Sequence, residues 1–95
     1  MAQVQVPFNK VLYFETSPTV HKVILHTTDE RLEFYASISE VERADERLYR
    51  CHKSFVVNPE NIEKIDKEQR IVYFDGDQNC LISRSKMKGL KERIK

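Results

Sequence analysis

Glycine and proline are scarce here, two of one and three of the other in 95 residues. With Gly76 and Gly89 standing alone, no Gly-rich phosphate loop can be built. The same scarcity argues against low-complexity disorder. Cysteine is limited to Cys51 and Cys80, too few for a disulfide scaffold. No apolar run approaches the roughly 20 residues of a membrane span. Met1-Ala2-Gln3 opens neither a basic n-region nor an apolar h-region. A reduced, cytoplasmic setting without a membrane partner is the expectation. Metal-ligand spacing is also missing: His21, His26, His52 and the two cysteines are dispersed, with no CxxC or HxxxH pair. Neither a metal nor a cofactor is expected. Catalytic frames such as GxSxG are absent. Cys51 and His52 are adjacent, so in a strand they point to opposite faces and make no dyad. No enzyme is expected.

Net charge is only +1, yet its distribution is uneven. Residues 1–46 hold four Lys/Arg against eight Asp/Glu; residues 47–95 hold twelve against seven. From Gln78 onward six basic residues face Glu92 alone. Such an excess on one part of the chain is the footprint of an anionic partner. Apolar residues at 40% and charged residues at 33% suit one small globular domain with a modest core.

The pattern along the chain is mostly β. Val4 and Val6 alternate with glutamines before Pro7, as in a short edge strand. Val11–Phe14, His21–Thr27 and the Leu32–Tyr35 alternation read as strands, with Thr28-Asp29-Glu30 as a hairpin turn. Ser37 and Glu40 form a capping box for a helix over 37–46, with Ile38, Val41 and Ala44 as its packing stripe. Leu48 leads into a further strand pair, and Pro59 breaks the chain after Asn58. Ile62 and Ile65 flank a short strand. Ile71–Phe74 is strongly β-prone, Asp75-Gly76 is a turn, and Cys80–Ile82 pairs back. From about Arg84 a last helix presents Met87, Leu90 and Ile94 on one face. Gly89 weakens it by about 1 kcal/mol relative to alanine. Nine short strands and two short helices therefore predict small sheets packed on each other. Leu12, Phe14, Phe34, Phe55, Val57, Ile71 and Tyr73 are the expected core. Asn58 and Asn61 read as turn residues.

The densest polar group lies between strand-forming neighbours. Arg50, Cys51, His52, Lys53 and Ser54 sit between Tyr49 and Phe55-Val56-Val57. Two readings stay open on these residues alone: a solvated strand–turn–strand corner, or a surface whose Arg, Lys, Ser and His donate to phosphates.

The series RCHKSFVVN, NIEKID, RIVYF resembles the centre of the LytTR DNA-binding domain. The likeness continues upstream in VLYFETSPTVHKVILHT and RLEFYASISEVE, and downstream in CLISRSKMKGLKERI, so that residues 1–95 read as one such domain. It is similar above all to the quorum-sensing type of Gram-positive bacteria, the staphylococcal accessory gene regulator and the streptococcal competence and bacteriocin regulators among them. The resemblance implies an elongated fold of stacked, mainly antiparallel small sheets, whose loops rather than a recognition helix enter double-stranded DNA. It implies direct-repeat promoter sites, a second copy on the adjacent repeat, and an N-terminal receiver domain in the full-length response regulator.

Residue roles follow from the same resemblance. His21 falls where relatives reach base edges in the major groove. Arg84 falls where they insert a basic residue into the next groove, although strict register with some relatives puts that position at Ser85. Thr16, Ser17, Thr19, Lys22, Arg50, His52, Lys53, Ser54, Arg70, Ser85, Lys86 and Lys88 are the expected backbone or minor-groove contacts. Cys51 and Cys80 stay open between two inert buried thiols and the oxidation-sensitive pair that the resemblance implies. A second function class is a β-rich protein-interaction module whose basic C-terminal region docks an acidic partner. RNA binding is disfavoured by the lack of a solvent-facing aromatic pair of RNP type.

Overall fold

The computed structural model describes residues 6–94. Their order is β1 (Val11–Thr16), β2 (Lys22–Thr27), β3 (Arg31–Tyr35), α1 (Ile38–Ala44), β4 (Tyr49–His52), β5 (Phe55–Val57), β6 (Lys64–Asp66), β7 (Ile71–Tyr73), β8 (Asn79–Leu81) and α2 (Met87–Ile94). Two antiparallel sheets result, one in the order β3-β2-β1-β5-β4 and one in the order β6-β7-β8. The domain is elongated, 38 × 24 × 23 Å.

Local chemistry sets the connections. The β2–β3 turn is closed by Thr27, whose hydroxyl accepts from the amides of Asp29 and Glu30. The capping box of α1 is complete: Ser37 Oγ accepts from Glu40 N at 3.1 Å, and Glu40 Oε1 accepts from Ser37 N at 2.8 Å. Gly76 takes the left-handed backbone (φ 72°) that its turn requires. Asn58 is wholly buried; its Nδ2 donates to the carbonyls of Phe8 and Val11, and its Oδ1 accepts from Glu60 N. Asn61 also donates to the Val11 carbonyl, so both asparagines are structural, as their turn signature suggested.

β5 lies between β1 and β4, and its consecutive valines serve opposite faces. Val57 joins Leu12, Tyr13, Cys51, Val72, Phe74, Cys80, Ile82 and Leu90, the cluster that binds the two sheets and α2 together. Val56 joins Val23, Val41 and Leu48, the cluster that seats α1 on the other face of the five-stranded sheet.

Several expectations change. The edge strand at Val4–Val6 falls mostly outside the described residues, and Val6 itself is irregular, which leaves eight strands among the described residues. His21 lies before β2 rather than in it. Ile71 and Tyr73 are only half-buried, whereas Val72 is wholly buried. Val72 stands opposite Cys80 in the register and Phe74 follows two residues on, so the even-numbered side faces the five-stranded sheet. Ala44 is exposed, because α1 ends there with only Ile38 and Val41 packed. Leu12 and Val57 are core as expected, while Phe14, Phe34 and Phe55 pack half-buried at the margins.

Candidate nucleic-acid interface

Three surface segments are held close to one another by main-chain hydrogen bonds of residues in or beside them. They are the loop from Ser17 to His21, the β4–β5 turn at Lys53-Ser54, and the 3-10 turn Arg84–Lys86 that leads into α2. Thr16 N donates to Ser54 O at 3.0 Å, joining the first to the second. Ser83 N donates to Cys51 O at 2.8 Å, joining the second strand pair to the third segment. The sequence separates these segments by about 30 residues each; the sheet order brings them onto one side.

The first loop is fixed from within. Ser17 is buried, accepts from Thr19 N at 2.9 Å and donates to the Glu33 carboxylate. Ser17 is therefore a brace, and its hydroxyl already has both partners. Thr16, Pro18, Thr19, Val20 and His21 are exposed. His21 holds a left-handed backbone (φ 67°), a conformation uncommon outside glycine. Its carbonyl accepts from Ala36 N at 3.0 Å, which pins the main chain while the imidazole stands in solvent. The Lys22 ammonium lies 4.7 Å from the Tyr35 ring centroid, a cation–π contact that orients it.

In the second segment Arg50 also works internally. Its guanidinium donates to Lys53 O at 2.7 Å, to Ser39 Oγ at 3.2 Å and to Glu42 at 3.5 Å. It braces the turn against α1. His52 Nδ1 accepts from Ser54 N at 3.1 Å, which leaves the ring proton on Nε2. Burial, and then the charge of Lys53, hold the His52 imidazole below its usual pKa, so the neutral ring persists. Lys53 is exposed and Ser54 half-buried.

The third segment presents Arg84, Ser85 and Lys86 to solvent, with Lys88 exposed on α2. Lys86 N donates to Ser83 O at 3.0 Å and closes the turn. Arg70, also left-handed (φ 56°), accepts from Ile82 N through its carbonyl. A shallow cleft lined by His52, Arg70, Leu81, Ser83 and Arg84 thus gathers two guanidiniums and a neutral imidazole donor. This cluster can hold phosphate oxygens or a base edge without a desolvated lone charge. Sequence reasoning missed Val20, 71% exposed at the loop tip beside His21. The available signal was a bulky apolar residue in an otherwise polar loop.

Cys51 and Cys80 are both buried in the same core cluster, and the Cys51 thiol donates to Leu81 O at 3.4 Å. The neighbouring Cys51 thiol, and then burial, push the Cys80 thiol far above its ordinary pKa. Enclosed thiols are poor nucleophiles, and the Cys80 thiol is held protonated as well. In the folded domain both should react with an aromatic disulfide reagent no faster than the domain opens, and at once in strong urea. A thiol titrating rapidly in the native protein would contradict this burial.

The model of the LytTr DNA-binding domain family matches residues 2–95. Over 80 residues the chain is 44% identical to accessory gene regulator protein A of Staphylococcus epidermidis, covering 84% of this chain and 34% of that protein. It is 42% identical over 80 residues to the protein of the same name from Staphylococcus aureus strain N315, with the same coverage. The chain thus spans about a third of the length of these relatives. Its fold is similar to the LytTr DNA-binding domain of a Bacillus cereus response regulator, with a TM-score of 0.78 at 24% identity, over 96% of this chain and 86% of that one.

Proposed function

The chain belongs to the LytTr DNA-binding domain family, and from that premise we propose how it reads double-stranded promoter DNA. As a DNA-binding domain of a transcriptional regulator it needs one face carrying both base readers and phosphate contacts. The observation that supports the reading is the linked trio of loop 17–21, turn 53–54 and segment 84–86. His21 and Arg84 are the base readers. An exposed imidazole and a guanidinium both donate to guanine O6 or N7, and a bidentate arginine is the commonest specific contact. Val20 offers apolar contact to a thymine methyl. Thr16, Thr19, Lys22, His52, Lys53, Ser54, Arg70, Ser85, Lys86 and Lys88 hold the backbone or minor groove. Arg50 and Ser17 act on the DNA only by shaping the segments that carry these groups.

The 38 Å length of the domain is close to the roughly 34–36 Å of one helical turn, so successive major grooves are within its span. A direct repeat would then seat two copies on one side of the duplex. The relatives' greater length leaves room for a receiver domain, and a quorum-sensing regulator working in the cytoplasm is the biological setting we assign. No helix among the described residues is long and apolar enough to cross a membrane.

Selection from random duplexes, followed by anisotropy titrations on selected and scrambled DNA, tests the reading. A sequence preference that persists as salt rises supports it. Binding without preference, together with tight binding to an acidic protein, would favour an interaction module instead. Within the selected site, Arg84→Ala should relax one or two base pairs while Ser85→Ala changes little. Lys53→Ala and Lys86→Ala should weaken all duplexes alike, each lowering the salt slope by about one. An unchanged selected motif for Arg84→Ala would remove arginine from the reading role.

A further inference from the structure

The 84–86 turn is held at both ends by a single strand. At its start Ser83 N donates to Cys51 O at 2.8 Å. At its end the Tyr49 hydroxyl donates to Lys86 O at 3.0 Å. Both holding residues lie on β4, Cys51 through its main-chain carbonyl and Tyr49 through its side-chain hydroxyl. The Tyr49 ring reaches Lys86 only because it can lie against α2 at Gly89. A Cβ on residue 89 would stand 2.3 Å from the Tyr49 hydroxyl oxygen and 3.0 Å from Cζ. The ring is the same residue's anchor on its other flank. The Arg93 guanidinium lies 5.3 Å from its centroid and donates to Glu46 O at 3.2 Å. Glycine costs a helix stability, and here the cost coincides with a close approach that alanine would forbid.

We infer that Tyr49 and Gly89 are the positioning pair of the base-reading turn, with the Tyr49 hydroxyl setting the angle at which Arg84–Lys86 meets DNA. Neither residue need touch the duplex. This inference rests on the reading of Arg84–Lys86 as a DNA-contacting segment. The hydroxyl stays a donor, since burial raises the phenol pKa further above neutrality. Loss of the bond removes the side-chain hold on the end of the turn, while the Ser83–Cys51 and Lys86–Ser83 main-chain bonds remain. The turn would then pivot, and the groups it carries would lose their register on the bases.

The decisive variant is Tyr49→Phe, which keeps the ring and deletes the bond. Anisotropy with a duplex selected by the unmodified domain, and with its scrambled counterpart, reads the effect. Specific affinity should fall about three- to tenfold, the scale of one hydrogen bond. Scrambled-duplex affinity and the urea midpoint should hardly move. Gly89→Ala should reduce specificity in the same way, through displacement of Tyr49. In a Tyr49→Ala background Gly89→Ala should be harmless to binding and should raise the urea midpoint, because the obstructed side chain is gone. A folded Tyr49→Phe domain with an undiminished ratio of specific to scrambled affinity would overturn the inference. So would additive effects of the two substitutions. If the unmodified domain shows no sequence preference at all, the underlying DNA reading fails first, and the two failures are thereby distinct.

Discussion

Phe74→Ala should cost the domain about 3–5 kcal/mol of stability, the range for removing a fully buried aromatic side chain. Phe74 is 2% exposed and stacks on Tyr13 at 5.2 Å between centroids, with the rings 19° apart. Tyr13 in turn stacks on His26 at 4.3 Å, and His26 Nε2 is 2.7 Å from Glu15. This column connects the three-stranded sheet to the five-stranded one. Burial first, and then Glu15, push the Tyr13 phenol up to about 12, so the column is uncharged at that position. Domains of this size have only about 5–15 kcal/mol in total, so the alanine variant should unfold at a markedly lower urea concentration. Urea unfolding monitored by tyrosine fluorescence gives the number. A loss below about 1 kcal/mol would mean that the column carries little of the contact between the sheets.

Removal of the His21 imidazole should lower specific binding by about 1–3 kcal/mol and leave non-specific binding nearly intact. Alanine at this position must still adopt φ 67°, so His21→Gly is the cleaner variant. Glycine occupies that backbone without strain, and the Ala36 N to residue 21 O bond needs no side chain. The glycine variant should therefore be as stable as the parent or more so, while losing sequence preference. Titration of selected and scrambled duplexes, beside a thermal melt, separates the two effects. Equal losses on both duplexes would make His21 a phosphate contact rather than a base reader.

Local signals were legible wherever one residue type has one physical use. Ser37 and Glu40 announced the capping box, Asn58 and Asn61 announced turns, and Gly76 announced its hairpin. Facing was not legible in Ile71-Val72-Tyr73-Phe74, because four apolar residues in a row have no period of two to reveal the buried side. The register with β8 decided it. The role of Gly89 was equally hidden: its helix penalty was apparent, but Tyr49 lies 40 residues away in sequence. Ser17 through the family resemblance, and Arg50 in the polar block, were expected backbone contacts; the fold ties the Ser17 hydroxyl to Glu33 and the Arg50 guanidinium to Lys53 O, Ser39 and Glu42. The ordered likeness to a family carried what periodicity could not, namely the expectation that loops rather than a helix face the duplex.

The two main-chain bonds that link the loop, the β-turn and the 84–86 turn also bear on binding thermodynamics. Because they join backbone to backbone, the proposed recognition face is already assembled in the free domain. Little chain entropy remains to be lost on association beyond the rotamers of His21, Lys53, Arg84 and Lys86, each on the order of 0.5–1.5 kcal/mol. Encounter then needs no folding step and is governed by charge and orientation. Operators of differing quality, compared at one salt concentration, would be told apart chiefly by how long the protein stays on them.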